Sequence, residues 1–485
     1  MNYSIIKRTL GYLLLFEAVF FLVPLVTAVI YWEEEFFSFL ICIAICALLG
    51  GLCVYKKPKN TSLYAREGFV IVALSWVVMS LFGALPFYFS GAIPSYIDAL
   101  FETVSGFTTT GATIIPTGEA IEALPKSILM WRSFTHWIGG MGVLVFIMAF
   151  LPLSGARNMY MMQAESPGPT VGKLVPKVRQ TAKILYLIYG GMTLAELIFL
   201  LCGGMPLFDA ITTSFGTAGT GGFSVKGNSI AGYSSYIQIV VTVFMLLFSV
   251  NFNSYYLIGK GKWRDAFTTE VKAFFVIVFS AIALITANLL LSNLTSGNYT
   301  FGETLKHTAF TVVSIISTTG FSTENFDLWP QFSRTILVLL MFIGACAGST
   351  GGGMKVSRIV MLSKGAGHEV NRILHPKQVK KITMDKRVVE HEIVRSLNAY
   401  AIAYALVFVV SLLLISLDGF DFTTNFTSVA ATINNIGPGL GAVGPVGSFA
   451  EFSDFSKIVH IFDMLVGRLE VFPMLVLFAP ATWRK

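Results

Sequence analysis

Apolar segments of two lengths alternate along this chain, and the shorter ones constrain its fold most strongly. A membrane-spanning helix needs about 20 apolar residues, whereas about 12 helical residues cover about 18 Å, roughly half of a bilayer core. A half-crossing segment must re-enter the side it came from, and its loop must be buried in protein or line a water-filled cavity. Four such segments lie near residues 97–109, 208–219, 304–318 and 423–435.

Longer apolar segments flank each of the short ones. The composition is typical of a membrane protein, because 54% of the 485 residues are hydrophobic and 13% are charged, against about 25% charged in soluble domains. Segments long enough to cross a bilayer lie near residues 8–30, 36–55, 68–91, 125–151, 180–202, 235–259, 270–292, 331–362, 391–416 and 456–481. The pattern predicts an all-α polytopic membrane protein with two N-terminal helices and four helix–re-entrant loop–helix units. The predicted divisions are 1–66 for the N-terminal helices and 67–160, 161–264, 265–388 and 389–485 for the four units.

Basic residues cluster between the predicted units. The clusters are Arg157, Lys173, Lys177, Arg179 and Lys183; Lys260, Lys262, Arg264 and Lys272; the stretch 374–387; and Arg484 with Lys485. Because Lys and Arg collect in cytoplasmic loops, both termini are predicted to be cytoplasmic and all four short helices to enter from outside. The same bias explains the net charge of +7 without a nucleic-acid partner. An inverted repeat, as in many secondary transporters, would break this regularity.

A glycine-containing loop follows each short segment. These four glycine loops read FTTTGATI (107–114), GTAGTGGFS (216–224), ISTTGFST (316–323) and INNIGPGL (433–440). Their register has two anchors: Asp98 and Asp209 each lie 13 residues before a glycine, and TTGFS in the third loop matches TGGFS in the second. The register aligns Gly111, Gly222, Gly320 and Gly437, with Gly219 and Gly221 as rival choices in the second loop.

Glycine at these positions favours a cation pathway. A cation that crosses a bilayer must exchange its water shell for polar ligands, and backbone carbonyls supply them without a full charge. Glycine permits the sharp turns and the close backbone approach that aim several carbonyls at one axis. The C-terminal end of each short helix adds partial negative charge. The simpler alternative is that each glycine only caps its helix. It would explain a single loop, but it explains less well why four loops in equivalent places each contain a glycine.

Three motifs carry a family resemblance: TTTGAT, STTGFST and WRSFTHWIGGMG (131–142). With the four-unit pattern they resemble the Trk/Ktr/HKT superfamily of potassium transporters, and the two extra N-terminal helices make the chain most similar to the bacterial TrkH/TrkG branch. The resemblance covers nearly the whole chain and implies four units around a single pore, with the pseudo-fourfold arrangement of potassium channels.

The resemblance also implies an ion filter. Its residues are Thr109, Thr110, Gly111, Gly221, Gly222, Thr318, Thr319, Gly320, Asn435, Ile436 and Gly437. K⁺ is expected at Thr110, Gly111, Gly222, Thr319, Gly320, Ile436 and Gly437. Sodium-selective plant relatives have serine at the first filter glycine, so Gly111 favours potassium, with Rb⁺ also accepted and Na⁺ accepted more weakly.

The sequence FIGACAGSTGGGMK (342–355), called here the glycine-rich segment, interrupts a long apolar stretch of the third unit. Each mid-helix glycine costs up to about 1 kcal/mol relative to alanine, so the run predicts a break in the helix. One alternative is a phosphate-binding loop, but no Gly-Lys-Ser/Thr follows; another is close packing of helices through small residues. The resemblance implies an intramembrane gate, formed by Gly344, Gly348, Gly351, Gly352 and Gly353.

Arg468 lies in the last apolar stretch, where a charge usually faces the protein interior or a cavity. The resemblance implies that it lies in the pore beside the gate and repels cations in the closed state. The alternative is a structural role, in which Arg468 pairs with Asp463 or Glu470 or extends towards the cytoplasm. Neutralising Arg468, or deleting residues 344–353, is expected to raise cation flux.

Other polar residues in these regions have structural interpretations. His136 is expected to be a hydrogen-bonded structural residue, because no carboxylate or cysteine lies at a useful local spacing. Asp98 and Asp209 are expected in the first turns of their short helices, where the helix dipole favours a negative charge. No convergent catalytic set is evident, so the chain is not expected to be an enzyme.

The sequence therefore predicts a potassium-permeable subunit for K⁺ uptake across a bacterial inner membrane. The alternative is a K⁺/H⁺ or K⁺/Na⁺ symporter that uses the same filter as a binding site. No covalent cofactor is expected. The resemblance implies a homodimer in contact with membrane lipid, regulated by a TrkA-like cytoplasmic subunit, so that a nucleotide acts only through that partner. The basic stretch 364–390 offers a surface for it.

Overall fold

The computed structural model describes residues 1–56, 64–116, 118–142, 178–292, 300–376, 381–385 and 387–484. At the N-terminus, α1 (Tyr3–Phe20) runs on into α2 (Leu22–Tyr31), and α3 (Phe36–Tyr55) packs along α1. Gly11 and Gly50 permit this close packing, because a β-carbon on Gly50 would lie 2.9 Å from the carbonyl oxygen of Gly11.

Four helix–loop–helix repeats follow. The first contains α4 (Ala65–Gly83), α5 (Leu85–Phe89), α6 (Tyr96–Phe107), α7 (Glu119–Glu122) and α8 (Lys126–Gly140). The second contains α9 (Val178–Cys202), α10 (Leu207–Gly219), α11 (Ser235–Phe248), α12 (Phe252–Gly259) and α13 (Trp263–Ala266). The third contains α14 (Thr269–Leu291), α15 (Phe301–Ile316), a 3₁₀ turn (Phe326–Leu328), α16 (Gln331–Met341) and α17 (Val356–Leu374). The fourth contains α18 (His391–Ile415), a 3₁₀ turn (Ser416–Asp418), α19 (Phe422–Ile433), a 3₁₀ turn (Gly441–Val443), α20 (Asp454–Arg468), α21 (Phe472–Phe478) and α22 (Pro480–Trp483).

The four half-length helices predicted from the sequence are present as α6, α10, α15 and α19, with 12, 13, 16 and 12 residues. Asp98 and Asp209 lie in first turns, as expected. Ser95 caps α6 by accepting a hydrogen bond from the Asp98 backbone N–H at 3.4 Å. Asp421 caps α19 in the same way, and hydrogen bonds from the Thr424 hydroxyl and backbone lower the pKa of Asp421. Thr300 caps α15 similarly, whereas Pro206 before α10 makes no side-chain cap bond, so three of the four half-length helices begin at a side-chain cap.

In each repeat, the long helix that follows the glycine loop contacts the half-length helix of the next repeat. These contacts close the four repeats into a ring. Helix α8 contacts α10, α11 contacts α15, α16 contacts α19, and α20 returns to α6. A salt bridge reinforces the last of these contacts, because Lys457 Nζ on α20 lies 2.6 Å from Asp98 Oδ1 on α6. The C-terminal parts of the half-length helices are consequently buried.

Helical stretches of membrane-crossing length and composition occur six times in the described residues, or seven times if one bent pair counts as a span. That pair is α11 and α12, which meet at 90°. The prediction of one continuous span over 235–259 is therefore wrong, and so is that over 456–481, where α20 and α21 are separated by residues 469–471. The end of the predicted span 125–151 and the basic residues Arg157, Lys173, Lys177 and Lys485 lie outside the described residues.

A short antiparallel hairpin, β1 (Thr383–Met384) and β2 (Arg387–Val388), follows α17. Asp385 in its turn accepts hydrogen bonds from the backbone N–H and the hydroxyl of Thr269, both at 2.7 Å. Because Thr269 begins α14, the hairpin ties the region after α17 to the first helix of the third repeat.

Candidate cation pathway

All four half-length helices end in the same backbone turn. In the first, Thr110 N donates to Ser105 O at 2.8 Å and Thr109 N donates to Gly106 O at 3.1 Å. This pair of bonds is the Schellman motif, whose capping residue is left-handed. The capping residues are Thr109, Thr220, Thr318 and Asn435, with φ of 57°, 54°, 60° and 55°. In the other three caps, the bond that spans five residues joins Gly221 N to Gly216 O, Thr319 N to Ser314 O and Ile436 N to Ala431 O, at 2.8, 2.9 and 2.9 Å.

The aligned glycines lie two residues beyond these caps. Gly111, Gly222, Gly320 and Gly437 have φ of 77°, 80°, 83° and 92°. The alternative that these glycines cap the helices is therefore wrong. In the second loop the left-handed cap is Thr220, which makes Gly222, rather than Gly219 or Gly221, the equivalent glycine. Thr220 is missing from the residues predicted from the sequence, although its place two residues before a glycine matches Thr109 and Thr318.

Each aligned glycine packs against a carbonyl oxygen of the next loop. A β-carbon on Gly437 would lie 2.8 Å from Thr110 O. The other three contacts are closer still, and join Gly111 to Gly221 O, Gly222 to Thr319 O, and Gly320 to Ile436 O. The four loops thus touch in a closed cycle, first to second to third to fourth to first. Any side chain at these glycines would force neighbouring loops apart.

The glycine loops separate two cavities. One is lined by all four aligned glycines, together with Arg132. The other lies beyond the capping residues, where its lining includes Gly140, Lys355, Arg468 and residues 351–353. The ring of four glycine loops therefore lies between two cavities.

His136 holds the first two loops together. Its Nδ1 donates to Gly106 O at 2.8 Å, and its Nε2 accepts from the backbone N–H of Phe223 at 3.2 Å. A β-carbon on Gly221 would overlap the buried imidazole ring. The glycine at 221 is therefore explained by the contact with His136, and His136 has a structural place, as the sequence predicted.

A buried ion pair lies behind the same two loops. Arg132 Nε is 2.6 Å from Glu102 Oε1, and Arg132 Nη1 donates to Ser224 O at 2.9 Å. Glu102 also accepts from the hydroxyl of Thr113 and the backbone N–H of Ile114, each at 3.0 Å. The pair fixes the chain that leaves Gly111. Neither residue is among those predicted from the sequence, although Arg132 lies within the motif WRSFTHWIGGMG.

The glycine-rich segment is non-helical, as predicted, and lies against the caps of the third and fourth half-length helices. The Gly352 backbone N–H donates to Thr318 Oγ1 at 2.6 Å. A β-carbon on Gly352 would lie 2.8 Å from Asn435 Cβ, and one on Gly351 would lie 3.0 Å from Ser317 O. The small residues therefore allow a loop to approach the caps, and the alternative of helix–helix packing does not apply. The backbone N–H of Gly344 donates to Met354 O at 2.8 Å, which joins the two ends of the segment.

The broken helix of the second repeat holds the glycine-rich segment from one side. Between α11 and α12, Ser249 O accepts from Cys346 N at 3.1 Å, and Phe252 N donates to Gly348 O at 3.0 Å. Gly348 has φ of 73°. The 90° bend frees backbone groups that a continuous helix would have used internally.

Glu270 holds the segment from another side. Its Oε1 accepts from the backbone N–H of Ala347 at 2.7 Å and of Ser357 at 3.0 Å. The carboxylate thus joins the middle of the segment to the start of α17. No sequence motif identifies the role of Glu270, because the partners of its side chain lie 77 and 87 residues away in sequence.

Two cationic side chains face the cavity beyond the caps. Arg468 Nη1 donates to Thr350 O at 3.0 Å and to Thr109 Oγ1 at 3.3 Å, while Nη2 donates to Gly140 O at 2.9 Å. Lys355 Nζ donates to Gly352 O at 3.3 Å and also contacts Gly351 O. Lys355 is absent from the residues predicted from the sequence.

The carboxylates proposed as alternative partners of Arg468 have contacts of their own. Glu470 forms an ion pair with Arg358, and Asp463 accepts a hydrogen bond from the Ser411 hydroxyl at 2.6 Å. Arg468, in the fourth repeat, bonds to groups of the first and third repeats, because Thr109 and Gly140 belong to the first and Thr350 to the third. Its position thus joins the glycine-rich segment to the first glycine loop.

Comparison with known proteins gives consistent similarities. A family model described as "TrkH: Cation transport protein" matches residues 35–485. The chain is 38% identical to the Trk system potassium uptake protein TrkH of Escherichia coli K12 over the full length of both chains. It is 33% identical to TrkG of the same organism, over 99% of this chain and 98% of the relative. The crystal structure of the potassium transporter TrkH from Vibrio parahaemolyticus superposes with a TM-score of 0.88 and 35% identity, covering both chains fully.

Proposed function

This chain belongs to the TrkH family of cation transport proteins and is a Trk-type potassium uptake subunit, and we propose that it conducts K⁺ through the ring of four glycine loops. The closed cycle of contacts among Gly111, Gly222, Gly320 and Gly437 is the observation that supports this most directly. Four chemically similar loops meet at one constriction, and none of the four contacts leaves room for a side chain.

The carbonyl oxygens at the four contacts are the proposed ligands. They belong to Thr110, Gly221, Thr319 and Ile436. Carbonyl dipoles replace water around a monovalent cation without the strong binding that a carboxylate would impose. The C-terminal ends of four half-length helices stop just before these groups, and their partial negative charge favours a cation there. With one aligned glycine in each loop, discrimination between K⁺ and Na⁺ is expected to be weaker than in a full potassium-channel filter.

The glycine-rich segment acts as a gate in this proposal. The segment lies against Thr318 and Asn435 and lines the cavity beyond the caps together with Arg468 and Lys355. A fixed positive charge in a cavity of low dielectric constant repels a cation far more strongly than it would in water. The arrangement therefore corresponds to a closed state, and conduction requires the segment and the two cations to move.

Orientation and partners follow from charge and family. We place both termini in the cytoplasm of a bacterium, with the protein in the inner membrane and the half-length helices entering from outside. A TrkA-like nucleotide-binding subunit and a second copy of this chain are the proposed partners. The stretch 364–390 is the proposed surface for the regulatory subunit, because exposed basic residues such as Lys364 and Arg372 follow the gate directly along α17.

Rubidium uptake into proteoliposomes tests the function. The purified chain alone is reconstituted, uptake is driven only by a K⁺ gradient, and external K⁺, Na⁺ and Li⁺ are titrated as competitors. We expect uptake that K⁺ blocks at lower concentration than Na⁺ does. Uptake that requires an added H⁺ or Na⁺ gradient would instead support the symporter, with the four loops as a binding site. Absence of uptake under every gradient would overturn both.

A further inference from the structure

The glycine-rich segment is bonded to the caps on which the proposed filter rests. Thr318 Oγ1 accepts the Gly352 N–H at 2.6 Å, and Thr109 Oγ1 accepts from Arg468 at 3.3 Å. Both threonines are completely buried. Two of the four cap side chains are therefore hydrogen-bonded to parts of the proposed gate.

The other two caps provide an internal comparison. The Thr220 hydroxyl donates to Gly219 O of its own helix at 2.6 Å. Asn435 Nδ2 donates to Thr110 Oγ1 and to Met464 O, both at 2.9 Å. Replacing the Thr220 hydroxyl therefore alters a cap without altering a bond to the gate.

The cap residue and the filter carbonyl are adjacent in the chain. Thr318 has φ of 60°, a conformation unfavourable for a β-branched residue, so contacts around its side chain must hold it there. The next residue is Thr319, whose carbonyl oxygen packs against Gly222 of the neighbouring loop. A rotation at Thr318 therefore moves a proposed ion ligand directly.

We propose that Thr318 is a positioning residue through which the gate sets the geometry of the filter, so that opening the gate lowers the discrimination between K⁺ and Na⁺. The inference depends on the function proposed above. When the glycine-rich segment withdraws, Thr318 loses its donor from Gly352, and the cap is free to relax together with the Thr319 carbonyl.

Glu270 allows the gate to be loosened without a substitution in any of the glycine loops. Its carboxylate bonds to Ala347 N and Ser357 N, neither of which belongs to a glycine loop. If the gate and the filter were independent, a change at Glu270 would alter the rate of uptake but not the ion preference. Under the proposal both change.

The experiment measures two quantities in proteoliposomes of the full chain: the rate of rubidium uptake, and the ratio of the Na⁺ and K⁺ concentrations that half-inhibit it. The variants are Thr318→Val, Thr318→Ser, Thr220→Val and Glu270→Ala. For Thr318→Val we expect a rise in rate and a fall in the ratio, each about fivefold, equivalent to ~1 kcal/mol and to one hydrogen bond. Thr318→Ser retains the acceptor and should restore the wild-type rate and ratio, whereas Thr220→Val, which removes a cap bond but no bond to the gate, should not raise the rate. Glu270→Ala should raise the rate and lower the ratio together.

Three results would overturn the inference. The first is a higher rate in Glu270→Ala with an unchanged ratio; the second is Thr318→Ser behaving like Thr318→Val; the third is a further fall in the ratio when Glu270→Ala is combined with Thr318→Val. If Glu270→Ala does not fold, Glu270→Gln, which keeps one acceptor oxygen, replaces it with a smaller expected change in the same direction. A wild-type protein without K⁺-selective uptake would contradict the proposed function itself, before any variant is compared.

Discussion

Replacing Gly111 by alanine tests whether the ring of loops controls ion preference. Gly111 has φ of 77°, and an L-residue in the left-handed region costs about 1–2 kcal/mol. The new β-carbon would also overlap Gly221 O, so the two loops must separate by roughly 1 Å or more before ordinary contact is restored. Because Gly221 O is one of the four carbonyls of the ring, the separation enlarges the proposed ion site.

Gly91 supplies a matched control. Its φ of 72° is nearly the same, but a β-carbon there would meet nothing within 4 Å. Gly91→Ala therefore carries the backbone cost without the overlap. We expect Gly91→Ala to lower the free energy of unfolding by about 1 kcal/mol and to leave uptake unchanged. Gly111→Ala should lower the preference for K⁺ over Na⁺ at least about tenfold, equivalent to ~1.4 kcal/mol.

The assay compares the two variants with the wild type in the same proteoliposomes. Rubidium uptake is competed with K⁺ and with Na⁺, and the melting temperature of each purified protein is measured in detergent. We expect the melting temperature of Gly91→Ala to equal or exceed that of Gly111→Ala, and we expect a change in ion preference only for Gly111→Ala. A Gly111→Ala protein that folds and keeps the wild-type preference would refute the assignment of this ring as the filter.

Other predictions concern the closure of the ring, the barrier and the support behind the loops. Gly437→Ala should lower the preference for K⁺ over Na⁺ less than Gly111→Ala does, because its β-carbon would lie 2.8 Å from Thr110 O and so overlap less. The same competition assay checks this, and an equal loss of preference would argue against a steric cause. Arg468→Gln should raise rubidium uptake by removing a fixed charge from the cavity, whereas Arg468→Lys should keep the low rate; equal rates in the two variants would exclude a role for the charge. Glu102→Gln should destabilise the protein by about 3 kcal/mol in thermal unfolding, because it leaves the buried Arg132 guanidinium without its counter-charge, and a melting temperature equal to that of the wild type would contradict this.

Local signals in the sequence predict two features of the fold, the half-length helices and the break in residues 342–355. Hydrophobic length alone predicts the half-length helices, because a helix of 12 to 16 residues cannot cross a bilayer. The run of glycines in 342–355 predicts a helix break because glycine carries a backbone penalty in any helix. Both inferences depend on residues next to one another in the chain, so no knowledge of distant contacts is required.

Distant contacts, in contrast, decide the backbone of the second repeat. The break between α11 and α12 falls at Ser249–Val250–Asn251, which contains neither glycine nor proline. The broken backbone is favourable only because Cys346 and Gly348 supply hydrogen-bond partners there. Propensity therefore predicts a continuous helix over 235–259, and the tertiary structure overrides it.

By itself the sequence determined a polytopic helical protein with four half-length helices, each followed by a glycine loop. Only the tertiary structure decided that Thr220 is a cap and that Glu270 and Lys355 belong with the glycine-rich segment. Left-handed threonine is unfavourable in isolation, and neither side chain's partners can be read from its sequence neighbours. The tertiary structure brings these groups together because closing the ring buries polar backbone that must find partners within the protein.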